Sequence, residues 1–540
     1  MAFNQAWLEN PNAIRGILVE VMVSISGNSD IPIYLSNIGY ITTDASIAFN
    51  PVLSNSISFS ESISLDGSIS MSFGDIEIEN PNGELDIYLD SSYVWVNRPI
   101  KVYVGDPTWV CADLTSIRNT FGLVFNGVVS DLDSKSRSTL NIKVRDKLER
   151  LNTPITENTL GTYGTWVGGQ TNQATILPLI FGEVHNIEPL LIDPALLEYQ
   201  VSDGEVEKVI ELRDNGAPLY TNNDSGVILN VGVPAGNLTG ATVSDNIGKL
   251  TLMQKLYGTL TASVQGVKKS VNFSGAGSLV LSYNNNIAHI IAIICTQYGK
   301  VLDRLTFADI DLVNFNAFSS ICTQSVGVHI SDKTNMLDIC QQLASSVGAQ
   351  VYFNKLGLLQ LIRLGNTSTN VTTTSSITTI TDADILQHSL ELVTKSEVVA
   401  AIKVGYCKNW TVQSGLTTGI PDSNKTLLSE EESFIIDNTT AASIATSYRL
   451  SKDPDVQETL LIDGTEANAE ATRRLNYFKY PRLVFKLTGT SRLLGLVLGQ
   501  QITLIHNRFN LYNGGVGKSG QVISLSPSWA KGTIEVEVII

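Results

Sequence analysis

Gly16 to Ser26 reads GILVEVMVSIS and places Val19, Val21, Val23 and Ile25 at every second position. Successive side chains of an extended chain point to opposite faces, so this spacing predicts a half-buried strand. Outward from it the same signal recurs. Ser56 to Met71 (SISFSESISLDGSISM) alternates Ile57, Phe59, Ile63 and Leu65 with serines, Glu61 interrupting the apolar face, and Asp66-Gly67 offers a hairpin turn. Ile76 to Glu79 alternates again and closes on the turn Asn80-Pro81-Asn82-Gly83. Pro99 to Val104 runs into Gly105-Asp106-Pro107, Phe121 to Ser130 and Ser138 to Val144 form a further strand pair, and Asp146 to Leu151 is a short helical exit. The first 150 residues therefore predict an all-β domain, a small barrel or a sandwich.

Beyond it the pattern loosens and then mixes. Gly161, Gly164, Gly168 and Gly169 mark a loop, Leu177 to Val184 is apolar enough for a strand, and Leu197–Val201 with Val206–Leu212 reads as a pair around Ser202-Asp203-Gly204. Leu260 to Val264 and Leu279 to Ser282 are further strands. Asn285 to Tyr298 is apolar around most of its circumference and predicts a helix packed between other elements. Asp332 to Val347 predicts a second helix, capped at Ser331/Asp332 and stopped by Gly348, followed by a hairpin of Gln350–Phe353 and Leu358–Leu364 about the turn Asn354–Gly357. Residues 366–382 form a polar, low-complexity linker. Helices over Thr440–Leu450 and Glu466–Phe478 precede final strands at Leu483–Leu487, Gln501–His506, Gln521–Leu525 and Thr533–Ile540. The fold class is mainly β with inserted helices, a β-rich α+β chain of several small β-barrel or sandwich domains. Four segments are expected: 1–151 as an N-terminal β domain, 152–284 as a loop-rich β domain, 285–382 as a helix and hairpin domain with the polar linker, and 383–540 as a C-terminal α+β domain.

The 540 residues carry 36 Lys+Arg against 52 Asp+Glu, a formal charge of −16, with 16% charged and 43% hydrophobic residues. That balance argues against a protein that grips nucleic acid phosphates and against global disorder. Cys111, Cys295, Cys322, Cys340 and Cys407 are five in number and contain no C-x-x-C, so free buried thiols are expected rather than a disulfide framework. The start, MAFNQAWLENPN, has no signal-peptide pattern, and the apolar run Ile287–Cys295 is too short to cross a membrane, so no stable membrane insertion is expected.

Sequence motifs for chemistry are weak. Gly514 to Ser519 (GGVGKS) has Tyr512 where a phosphate-binding loop needs glycine, and both flanks read as strands. His185, His289, His329, His388 and His506 are scattered without zinc spacing. Cys295, Cys322 and Cys340 have the option of meeting in space as cluster ligands, against packing as small core hydrophobes. Asp131 and Asp133 open a calcium-loop pattern that Lys135 breaks. Glu183, Glu188 and Asp193 lack any context marking a glycosidase pair, and Glu430-Glu431-Glu432 reads as a solvated loop or helix start. Trp95, Trp109, Trp166 and Trp410 either anchor domain cores or stack on sugars. The expectation is no enzyme, no catalytic, cofactor or metal residues, and no cofactor.

Several blocks, taken in order, resemble baseplate hub or tail-tip proteins of long-tailed bacteriophages. They are Ile38–Thr43 (IGYITT), Ile76–Asp90 (IEIENPNGELDIYLD) with Val104–Trp109 (VGDPTW), Leu177–Gly216, the helix and hairpin of Asn335–Leu364, and Ala467–Tyr480 with Arg473-Arg474, followed by Leu496–Leu504 and a terminal strand. The resemblance implies a structural virion protein, assembled in the host cytoplasm and located at the tail tip. It implies a homotrimer that closes the tail tube, contacts the distal tail protein, the tape-measure protein and fibres or a spike, and opens for DNA ejection. Some relatives carry a C-terminal peptidoglycan-cleaving or carbohydrate-binding module, which this chain does not match. The alternatives are a tail-associated cell-wall hydrolase and a carbohydrate- or receptor-binding tail protein. In a trimer the acidic excess would be tripled; it either faces a channel through which DNA passes transiently or aids solubility.

Overall fold

The computed structural model describes residues 5–540 apart from 26–29, 55–56, 58, 64–68, 73, 164–172, 222–235, 238–240, 366–377, 440 and 451–453. It is mainly β with inserted helices, as the alternation predicts, and the backbone contacts divide it into two compact units. One gathers Met1–Glu149, Tyr352–Ser396 and Pro481–Ile540, and the other Arg150–Val351 and Glu397–Tyr480. The four segments read from the sequence form a linear series, whereas each unit assembles stretches far apart in the chain.

In the first unit the strand Gly16–Ile25 lies between Asp30–Ser36 and Pro99–Gly105, and the sheet continues through Gly122–Ser136, Thr139–Arg145 and Asp75–Glu79. Val19, Val21 and Val23 point into a core that also holds Ile100, Val102, Ile142, Phe485, Leu525 and Val536. Stretches from the two ends of the chain, within residues 8–144 and 380–538, thus share one apolar interior. The opposite face of Gly16–Ile25 is not open, as a half-buried strand would be. Leu18 packs with Tyr40, Tyr103, Ile117 and Phe121, under the short helix Leu114–Thr120. Burying both faces permits the acidic Glu20 because Arg118 pairs with it and Tyr103 Oη donates to it at 3.4 Å.

The second sheet of this unit runs Thr378–Ile380, Gln501–Leu504, Lys518–Ser528, Thr533–Ile539, Leu483–Gly489 and Glu391–Lys395, with Ser60–Ile63 also paired to Lys518–Ser528. Ser60–Ile63 and Ile69–Ser72 pair antiparallel, while the Asp66-Gly67 turn between them lies outside the described residues. The end of the polar linker is a strand rather than a loop: Thr378–Ile380 runs parallel to Gln501–Leu504.

In the second unit a six-stranded sheet has Leu179–Ile187 between Leu260–Val267 and Gly327–Ile330. Gly182 sits at φ +68°, and a Cβ there would lie 1.8 Å from the Val326 carbonyl oxygen, so no larger residue lets the two strands approach. Glu198–Gln200 and Val206–Asp214 do not pair with each other, contrary to the turn reading. The former joins Leu190–Asp193 and Lys249–Thr251, the latter Ala217–Thr221 and Leu260–Val267. A short turn brings two segments close; longer-range partners decide which edges bond.

The helix Ile287–Gln297 is buried on nearly every side and capped by Asn286, whose Oδ1 accepts from Ala288 N at 3.0 Å. The next expected helix starts later than its cap signal. Asp332 is consumed locally by the Thr334 N–H at 3.0 Å, and the helix Met336–Ser345 begins after Asn335. Gly348 follows at φ +64°. Helices Leu312–Ile321 and Asp422–Ser429 arise where no helix was expected; the first is capped by Asp311, accepting from Asn314 N at 3.0 Å.

Candidate functional site

Several of the chemistry-bearing residues lie in two buried polar clusters of the second unit. In the first, Glu183 Oε2 accepts from Gln265 Nε2 at 2.8 Å, and His185 Nε2 stands 3.3 Å from Glu183 Oε1. Burial pushes the Glu183 carboxyl up, but the His185 and Gln265 contacts outweigh it and hold the carboxyl below its usual range. Next in sequence, Asn186 adopts φ +56° and donates from Nδ2 to Asn409 Oδ1 (2.7 Å) and to the Thr411 carbonyl (2.6 Å). Asn409 Nδ2 in turn donates to the carbonyls of Leu428 and Glu430, each at 2.9 Å. Asparagine tolerates the left-handed region better than other branched or long residues, and that is the only trace of this junction in the sequence.

This cluster contains histidine, carboxylate and a thiol, and its asparagine hydrogen bonds tie the strand Leu179–Ile187 to residues 409–430. Burial, with Glu183 adding to it, pushes the Cys407 thiol up to about 12, the reverse of what a nucleophile needs. His329, edge-on to Trp410 with centroids 5.7 Å apart, is pushed down to about 4 by burial.

The second cluster centres on Glu470, which is completely buried in the helix Gly464–Phe478. Arg473 Nη2 and Nε reach its carboxylate at 2.7 and 2.8 Å, and Arg474 Nε at 2.6 Å. Both arginines also donate to the C-terminal end of the helix Met336–Ser345: Arg474 to the Ser345 and Ser346 carbonyls, Arg473 to Val347. Guanidinium groups at carbonyls that lack intrahelical partners favour that helix end twice, by hydrogen bond and by charge. The Arg473-Arg474 motif is therefore a clamp between two helices.

The other singled-out residues are dispersed. Glu188 is exposed, and Asp193 accepts from the Ala195 and Leu196 amides at 2.8 and 3.0 Å. Asp133 pairs with Lys143 at 2.6 Å on adjacent strands. Lys518 and Ser519 lie in the strand ladder opposite Leu504 and Thr503, so GGVGKS leads into a strand and has no helix N-terminus for a phosphate. Glu430 ends the helix Asp422–Ser429 instead of starting one. Cys295 and Cys340 do meet, Sγ to Sγ at 3.8 Å, and all five cysteines are buried and outside any disulfide. Among the described residues no group of three or more His, Cys, Asp or Glu is placed to hold a metal ion. Trp95 is buried in the first unit's core, Trp109 packs beside Phe121 and Trp410 beside the second unit's core; Trp166 lies outside the described residues. Among the described residues no helix is long and apolar enough to cross a membrane.

Two blocks of the phage-like pattern touch. Tyr40 Oη donates to the Trp109 carbonyl at 2.7 Å and accepts from Cys111 N at 3.0 Å. No protein-family model matches the chain, and no curated protein matches it. Among solved structures it is similar to a chain in the virion of a native gene transfer agent particle, at 12% identity and TM-score 0.40, covering 69% of this chain and 85% of that one. It is also similar to a tail protein from Neisseria meningitidis MC58, at 10% identity and TM-score 0.34 over 97% and 96% of the two chains. A prophage tail protein from Shewanella oneidensis aligns at 11% identity and TM-score 0.35 over 96% and 98%. All three TM-scores are below 0.5, so the functional reading is carried by this chain's own residues.

Proposed function

We propose that the chain is a structural, non-enzymatic hub protein of a long-tailed phage, seated at the tail tip or baseplate. The observation that carries this reading is the order of the hub-like blocks along the sequence, from Ile38–Thr43 to the terminal strands. The contact between Tyr40 and Trp109 supports it, because two of those blocks build one packing centre. A raised Cys407 thiol and a Glu470 sealed by two arginines suit scaffolding better than turnover.

On this reading three copies form a ring that closes the tail tube and meets the distal tail protein, the tape-measure protein and fibres or a spike. DNA passes through without being held, which a strongly acidic chain favours. Sedimentation equilibrium of the purified chain tests the ring: a species of three 58.4 kDa subunits is expected, and a stable monomer that binds no other tail protein overturns the reading. Cell-wall lysis abolished by replacing a single carboxylate would favour the hydrolase instead.

A further inference from the structure

The second unit contains a small sheet in which Ile402–Tyr406 lies between Ser433–Asp437, antiparallel, and Val456–Gln457, parallel. Its two faces differ sharply. Ile402 and Val404 are buried on the face toward the helix Gly464–Phe478. On the other face Lys403 stands in a row with Ile436 and Val456, and Gly405 stands opposite Phe434. Phe434, Ile436 and Val456 are 52%, 42% and 37% exposed. Three large apolar side chains on one face of a three-stranded sheet form a patch of the kind that partners cover.

The charges on this face say what kind of partner. Gly405 leaves a gap that the Glu432 carboxylate fills: a Cβ there would lie 2.1 Å from Glu432 Oε2. The carboxylate therefore lies within the apolar face, beside Phe434; Glu458 and Glu431 add to the negative field around it, and Lys408 offsets part of that field. Two lysines lie near this face over aromatic rings, Lys403 Nζ 5.0 Å from the Phe434 centroid and Lys408 Nζ 4.9 Å from that of Trp410, and Lys408 acts on Glu432 through its charge without closing an ion pair. No salt-bridge cation stands within 4 Å of Glu432 among the described residues. Covering the face with an apolar surface alone would bury that carboxylate unpaired, at a cost that a cation on the partner removes.

We propose that this face binds a polypeptide segment that presents apolar side chains next to a lysine or arginine, the cation meeting Glu432 and the apolar groups covering Phe434, Ile436 and Val456. The same carboxylates repel nucleic acid and anionic lipid. A second copy would bring lysines together with carboxylates, and the solution mass distinguishes that occupant. The surface stands whether or not the chain closes a phage tail.

Fluorescence anisotropy with the full chain and labelled synthetic peptides tests it. A peptide alternating lysine with phenylalanine, valine and isoleucine is expected to bind saturably, and its counterpart with glutamate in place of lysine to bind at least about tenfold more weakly. The double variant Phe434→Ser/Ile436→Ser and the single variant Glu432→Gln are each expected to weaken the lysine peptide by about tenfold or more. Glu432→Lys should shift preference toward the glutamate peptide, an outcome that a loss of folding cannot produce. Equal binding of both peptides, binding indifferent to these variants, or no saturation by about 1 mM overturns the proposal. A fall in solution mass in the Phe434→Ser/Ile436→Ser variant would also overturn it, by assigning the face to a second copy.

Discussion

Arg473 holds the Glu470 carboxylate through two nitrogens, at 2.7 and 2.8 Å, while the nitrogen nearer the neighbouring helix also reaches the Val347 carbonyl at 3.2 Å. A charge with no solvent contact, sealed between two guanidinium groups, makes this junction sensitive to single substitutions.

Glu470→Ala leaves two arginines without their shared anion, and the expected loss is about 3–5 kcal/mol, read from urea unfolding. Burial raises the Glu470 carboxyl, but the arginines outweigh it and hold its folded value below the usual range. Its contribution is therefore present above the unfolded value of about 4.3 and lost as pH falls through the depressed folded value. The acid limb of the stability curve should flatten in Glu470→Gln; an unchanged limb would show that the pair contributes nothing.

His329 behaves differently. Burial against Trp410 depresses its imidazole to about 4, so the folded state resists protonation while the unfolded chain takes up a proton near about 6.5. Stability should decline by about 1–3 kcal/mol as pH falls from 6.5 toward 4. Thermal melts across that window should show a shallower decline in His329→Phe, which keeps an aromatic ring beside Trp410. Equal slopes in the two proteins would refute the assignment.

The five thiols give a third test. All are buried, Cys340 is pushed well up by its contact with Cys295 and by burial, and Cys407 is pushed to about 12. A chromogenic disulfide reagent at pH 7.5 should titrate essentially none of them in the native protein and all five in denaturant. One or more rapidly reacting thiols before unfolding would contradict this burial.

Much of this was legible in residues one or two steps apart. Period-two alternation marks Gly16–Ile25, Pro99–Gly105 and the terminal strands, and the apolar circumference of Ile287–Gln297 marks a buried helix, because both depend only on local side-chain direction. The failed phosphate loop at Gly514–Ser519 was equally visible, since its glycine spacing and flanks are local properties. The candidate clusters were not. Glu470 meets Arg473 within one helical turn, yet the reason for the pairing is a carbonyl at Val347, 126 residues away. Likewise Asn186 is fixed by Asn409 and Thr411, and nothing near it in sequence signals either contact.

The amino-acid order by itself determined a β-rich chain with inserted helices, a strongly acidic balance and no strong motif for catalysis. Only the tertiary structure decided that residues 1–149 and 481–540 share a core, that Leu18 and Glu20 are buried along with Val19 and Val21, and that the strands beside Ser202–Gly204 bond elsewhere. The division has a physical cause. Alternation and helical period follow from backbone geometry within a few residues, whereas the choice of partner depends on which distant surfaces exclude water together, and that choice is encoded in no single stretch of the chain.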